Sequence, residues 1–256
     1  MPAADTERTG RIRVAAAGDV HCRESHREEI VRAFAGLAGN AEIALLAGDL
    51  TSNGEVSEAE ILAEACGPLE LPVIAVLGNH DWHRGEQDRI AAVLGEAGVI
   101  VLDREVRVVE VERTEIGVVG AKGFIGGFPG SHLTDYGEPA LRMAYAETTA
   151  EVKGIARGLK EISTLPIRIV LLHYAPIEET LKGEPPGIWT YLGADRLAGP
   201  IREHEPDLVL HGHAHHGSLE GSIGNVPVYN VSAPLMGGEF WVLELNVERQ
   251  PAPPVH

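Results

Sequence analysis

The chain has 256 residues, 44% of them hydrophobic and 23% charged, which suits one large α/β domain or a double-sheet sandwich with a full core. A net charge of -17 disfavours nucleic acid and anionic membranes as partners, and no Lys/Arg run forms a compensating patch. Apolar runs such as 71–77 are strand-sized, well short of the roughly 18–20 residues of a membrane span.

Residues 1–10 read as a flexible leader with no basic start or apolar core of a secretory signal. Residues 11–249 read as a single domain, and the Pro-rich stretch 250–256 as a flexible tail. The first half alternates strand and helix. Strands are predicted at Ile12–Ala17, Ile43–Ala47 and Val73–Leu77. Between them, Ser25-His26-Arg27-Glu28 and Ser57-Glu58-Ala59-Glu60 carry capping-box signals for two helices, the first with Ile30, Phe34 and Leu37 on one face. A third helix is predicted over Asp88–Glu96, stopped by Gly98. This βαβαβ order implies a parallel sheet covered by helices. Val106–Val111 and Ile116–Gly120 then form a hairpin, followed by a glycine-rich loop from Gly123 to Gly137 and a long helix from Glu138 to Ile162. Strands at Ile167–Leu172, Leu208–Leu210, Val226–Val231 and Phe240–Leu245 complete an arrangement of two face-to-face sheets with helices outside.

Chemistry gathers where those strands end. Gly18-Asp19-Val20-His21, Gly48-Asp49, Gly78-Asn79-His80-Asp81, His173 and Gly212-His213-Ala214-His215 each follow an apolar, strand-like run. Asp19 and His21 stand two apart, so both can reach one ion from the same face of extended chain. Asp49 offers two oxygens with separate lone pairs and is the candidate bridge between two ions. The Asn79 amide oxygen can bind a hard cation without adding charge. The Cα atoms of His213 and His215 lie roughly 6–7 Å apart in extended chain, which suits two ions spaced by about 3.5–4 Å. Cys22 beside His21 points the other way in extended chain and reads as a buried apolar residue. With Cys66 it forms neither a Cys-x-x-Cys pair nor a disulfide framework, so a reducing, cytoplasmic location is expected. His211 and His216 read as partly solvated loop residues, and Trp82 as core.

These motifs, in this order, resemble the calcineurin-like metallophosphoesterase superfamily over the whole domain, with no departure at a ligand position. The resemblance implies a four-layer αββα sandwich of two mixed β-sheets flanked by helices. It implies two divalent or mixed-valence transition-metal ions, with manganese favoured and iron, zinc or cobalt as other fits. Asp19, His21, Asp49 and His215 resemble the ligands of the first ion, and Asp49, Asn79, His173 and His213 those of the second. His80 resembles the family's general acid, and Asp81 either orients His80 or holds its loop. The implied reaction is hydrolysis of a phosphoester by a hydroxide held between the ions, with His80 protonating the leaving group.

The substrate expected is a small soluble phosphomonoester or phosphodiester. The absence of clustered arginines near the motifs leans the reading to a diester. No nucleic acid or membrane partner is expected, and the oligomeric state is left open. The loop 123–137, with Phe124, Phe128, His132 and Tyr136, is either a pocket wall or a packed surface loop. Tyr174 with the segment 187–191 is a second candidate wall, and His83 and Trp82 are candidate substrate contacts, core packing being the other reading of Trp82. The alternative function is a catalytically minor, metal-binding scaffold for protein–protein interaction, as one retromer subunit of the superfamily is; the completeness of the ligand set argues against it.

Overall fold

The computed structural model describes residues 10–238 and 240–247. The leader and tail expected from the sequence lie outside them, except Gly10, which already belongs to the first strand. In chain order the first half runs β1 (Gly10–Ala17), α1 (Arg27–Ala35), β2 (Ile43–Ala47), α2 (Val56–Cys66), β3 (Val73–Val76), α3 (Gln87–Glu96) and β4 (Val99–Leu102). The hairpin β5 (Glu105–Val111) and β6 (Thr114–Gly120) leads to α4 (Pro139–Glu161) and β7 (Ile167–Leu171). Two short helices, α5 (Trp189–Leu192) and α6 (Ala198–His204), precede β8 (Leu208–His211). Then come β9 (Glu220–Ile223), β10 (Val226–Asn230), α7 (Ala233–Met236) and β11 (Trp241–Val247).

Two sheets form. One has the order β11-β1-β2-β3-β4 and the other β5-β6-β7-β8-β10-β9. In the first, β1 to β4 run parallel and β11 pairs antiparallel with β1. In the second, β6, β7, β8 and β10 are parallel, while β5 and β9 add antiparallel edges. Both sheets are mixed, as the resemblance implied.

The layering follows from the two-residue period of a strand. Ile43, Leu45 and Ala47 of β2 face the second sheet, where Ile169, Leu171, Leu208 and Leu210 meet them. Ala44 and Leu46 face the other way, onto Phe34, Leu62 and Leu94 of the first three helices. The outer face of the second sheet, with Val170 and Val209, is covered by Ile155 and Leu159 of α4 and Ile201 of α6. The order is helix, sheet, sheet, helix. Strands buried on both faces are continuously apolar, which is why β2 reads Ile-Ala-Leu-Leu-Ala.

Some local expectations are corrected. Ser25 sits in a 3-10 turn, Glu24–His26, and α1 opens only at Arg27 without a side-chain cap. At α2 the box is Glu55 with Glu58, two residues earlier than Ser57 predicts, and Glu58 also accepts from the Asn53 N–H and side chain at 2.8 Å each. β4, β9, α5, α6 and α7 have no counterpart in the sequence reading; each is short and lacks a periodic signal. No helix among the described residues is long and apolar enough to cross a membrane.

Candidate metal centre

Parallel strands carry their C-terminal ends to one rim, and the motif residues stand just past those ends. Asp19 follows β1, Asp49 follows β2, Asn79 follows β3, His173 follows β7 and His213 follows β8. The sheets face each other, so both rims open on one cleft. Close approach there is set by glycine. Gly48 has φ +81°, and a Cβ on it would lie 2.6 Å from His173 Nδ1. A Cβ on Gly78 would overlap the Asp49 carboxylate.

Seven of the nine predicted residues fall into three overlapping groups of donors. Asp19, His21 and His215 form one, His21, Asp49 and His80 another, and Asp49, His173 and His213 the third, with donor atoms within 4.8 Å of one another in each. Asp49 belongs to two groups, and its two oxygens face opposite ways. Oδ1 lies 3.4 Å from His173 Nε2, and Oδ2 lies 4.0 Å from His21 Nε2 and 3.9 Å from His80 Nε2. Asn79 joins through Oδ1, 3.0 Å from His173 Nε2. Asp19 Oδ1 lies 3.0 Å from His215 Nε2.

Backbone carbonyls fix which ring nitrogen faces the cleft. His173 Nδ1 donates to Ala47 O at 2.8 Å, and His213 Nε2 donates to Tyr191 O at 3.1 Å. His173 Nε2 is left facing the Asp49 carboxylate and the Asn79 amide oxygen, and His213 belongs to the same group of donors. Acceptors that converge in this way need a cation among them. The donor set of carboxylate, amide oxygen and imidazole therefore fits two transition-metal ions.

The charges agree. Burial alone would raise the Asp19 carboxyl, but the His215 hydrogen bond, nearby His173 and the His213 N–H hold it well below the usual carboxylate range. Burial, then His173, pulls His213 down to about 4, which leaves it a neutral base. Burial also lowers His21, against the pull of Asp49 and Asp19. His215 moves up, because Asp19 hydrogen-bonds it.

His80 and Asp81 separate into two kinds of residue. His80 is part-exposed, and its Nδ1 donates to Ser52 O at 2.7 Å, so Nε2 turns to the cleft. Asp81 is fully buried and accepts from Leu50 N, Thr51 N, Thr51 Oγ1 and Gly78 N at 2.6–3.2 Å. It ties the loop after β2 to the loop after β3, and the His80 ring bonds Ser52 instead. Of the two roles open to Asp81, holding the loop is the one its hydrogen bonds serve.

Other expectations meet the structure unevenly. Cys22 is buried, as expected. His211 is not solvated: it is fully buried, with Nδ1 donating to Gly212 O and Nε2 2.8 Å from Thr180 Oγ1. Trp82 is not core but 44% exposed. In the loop 123–137, Phe128 is buried whereas Tyr136 is exposed. Tyr174 lies against the His213 ring at 4.6 Å, and the His83 ring lies 4.4 Å from that of His80. The sequence reading missed the Ser52 and Tyr191 carbonyls, which carry no side-chain signal.

The family model described as calcineurin-like phosphoesterase matches residues 12–217. No curated protein matches the chain. Among solved structures, phosphopantetheinyl hydrolase from Mycobacterium tuberculosis is 14% identical, with TM-score 0.64 and coverage of 94% of this chain and 98% of its own. TT1561 of Thermus thermophilus is 20% identical, with TM-score 0.55 and coverage of 91% and 98%. GAP50, the anchor in the inner membrane complex of Plasmodium, is 12% identical, with TM-score 0.55 and coverage of 88% and 72%. A hydrolase and an anchor share this fold, so the likeness fixes the architecture and leaves function to the site.

Proposed function

The chain belongs to the calcineurin-like phosphoesterase family, and from that premise we propose that it is a two-metal phosphoester hydrolase of a small soluble substrate. The observation that carries the proposal is the Asp49 carboxylate, whose two oxygens point into two separate groups of histidines. Asp19, His21, Asp49 and His215 would hold one ion, and Asp49, Asn79, His173 and His213 the other. Oxygen and imidazole donors suit manganese, iron, zinc or cobalt. When bound, the ions supply positive charge at the phosphoryl group and a nucleophile derived from water.

The chain's own residues do the rest. The Ser52 carbonyl keeps a proton on His80 Nδ1, so the proton of the charged ring that is free to move sits on Nε2, facing the cleft. His80 then donates from Nε2 to the departing oxygen. Asp81 is a positioning residue that keeps the loop carrying Asn79 and His80 against the one carrying Asp49. The acidic surface favours a small substrate over duplex DNA, whose binding gains from several Lys/Arg phosphate contacts. A diester is preferred to a monoester, since among the described residues no arginine cluster stands at the candidate metal centre for a dianion. Two buried free thiols fit a reducing, cytoplasmic location, and 11–249 forms the catalytic domain.

The test is hydrolysis of an aryl phosphate, its bis-aryl diester, a cyclic nucleotide and linear duplex DNA with manganese present. Turnover of a small ester, with the duplex untouched, is the expected result. Efficient cleavage of the duplex with little turnover of the small esters contradicts it.

A further inference from the structure

Lys122 occupies on β6 the position that His173 occupies on β7 and His213 on β8, two residues past the strand's end. These strands are neighbours in one sheet, so the three residues share its rim. The link to the ligand is direct, because the N–H groups of His173 and Tyr174 both donate to the Lys122 carbonyl at 3.0 Å. Its ammonium lies 4.7 Å from the centroid of Phe124, 5.0 Å from that of Trp82 and 5.8 Å from that of Tyr174. Trp82 comes from the turn that carries His80, across the cleft. The Tyr174 ring stands between Lys122 and the His173–His213 pair.

Aromatic faces attract a cation and strip its water, but they accept none of its three N–H groups. Among the described residues, no side-chain or backbone acceptor bonds the ammonium; Glu151, Glu147 and Asp103 act on it only through longer-range attraction. Glu151 itself spends Oε2 on the Gly123 N–H and turns Oε1 toward Arg104 Nε at 3.9 Å. A partly desolvated ammonium with unused donors, set beside the candidate metal centre, calls for an acceptor brought from outside. In a chain with 38 acidic and 21 basic residues, one cation placed at the cleft discriminates between substrates in a way a general basic surface would not.

We infer that Lys122 is a specificity-determining residue that binds a second anionic group, a carboxylate or a phosphate, on a small phosphoester whose scissile group sits at the metal centre. The inference rests on the phosphoesterase reading of the same cleft.

Three phosphodiesters that share a 4-nitrophenyl leaving group and differ in the other arm test it, the arms being ethyl, carboxymethyl and 2-phosphoethyl. With the manganese-loaded protein, kcat/KM for at least one anionic arm should exceed that for ethyl by about tenfold or more, as a charge-assisted contact predicts. Lys122→Met should abolish that preference through KM, while Lys122→Arg should keep it. The preferred arm tells carboxylate from phosphate. Calorimetric titration with phosphonoacetate, on loaded protein freed of unbound metal, reads binding without turnover. Lys122→Met should weaken that binding by a similar factor. Equal kcat/KM for all three arms in the unmodified protein overturns the inference. So does a Lys122→Met protein that loses all three activities alike, which would make Lys122 a structural counter-charge to Glu151. If no ester is cleaved at all, the phosphoesterase reading fails. The titration then decides Lys122 alone: weaker binding in Lys122→Met supports its role, and unchanged binding refutes it.

Discussion

Four of the seven residues assigned to metal, Asp19, His21, Asp49 and His213, have left-handed backbone, with φ between 47° and 70°. Each such non-glycine residue costs of order 1–3 kcal/mol, so the surrounding structure over-determines these conformations. The strain turns side chains out of the strand direction and toward one another. That is why Asp19 and His21, read as same-face residues of extended chain, meet one donor group through curled backbone instead. His80 carries the residue-scale prediction. His80→Ala should keep both metals and lower turnover by about 10²–10⁴ for an ester with an alkoxide leaving group. The loss should be much smaller for 4-nitrophenolate, which leaves without a proton. Rate measurements on both esters, with metal analysis of the variant, check it; equal losses on the two esters would remove the acid role. The residue types of this centre were legible because carboxylate, amide and imidazole are ligands by chemistry. The tautomers were not, since they depend on Ala47, Ser52 and Tyr191 carbonyls that any residue could supply.

At the level of elements, the site is an alignment of strand ends, and Asp81 is the clamp between two of them. Removing its carboxylate leaves three backbone N–H groups and a threonine hydroxyl without their acceptor. Burial, then the charge of Asp49, pushes the Asp81 carboxyl up, while the Thr51 and Gly78 donors pull it down. Asp81→Ala should destabilise the fold by about 3 kcal/mol, read from urea unfolding, and weaken metal binding with it. A variant with unchanged stability would show that the clamp is dispensable. The central strands and long helices were legible from period and length; α4 at Pro139–Glu161 lies within one residue of its predicted ends. Helix starts were less so. Ser25 and Ser57 both carry the capping pattern, yet α1 begins beyond a 3-10 turn and α2 is capped from Glu55, because the chain's entry path decides which side chain reaches the free N–H groups.

Across the whole molecule, two sheets bury one shared core and helices seal both outer faces, an architecture legible in the apolar strands and in the change from βαβ order to a hairpin. The buried carboxyl of Glu151, on the inner face of α4, was not legible, for its helical position alone does not show which loop packs over it. Burial pushes it up to about 7, against the pull of the Gly123 N–H, Arg104 and Lys122. The folded protein thus keeps a proton that the unfolded chain releases above its ordinary pKa of 4.5. Stability from this group is fully present below pH 4.5 and is lost as pH rises to about 7. Glu151→Gln should therefore match the unmodified protein near pH 4 and gain on it by about 1–3 kcal/mol at pH 8, as read by thermal unfolding across pH. A pH-independent difference would contradict the shift. The central claim is that one carboxylate holds two ions, and metal stoichiometry tests it most directly. Manganese bound per chain, measured by elemental analysis after removal of excess metal, should be two for the unmodified protein. It should fall toward zero for Asp49→Ala, because a bridging ligand belongs to both sites. One ion per chain in the unmodified protein, or full retention of one ion in Asp49→Ala, would contradict the account.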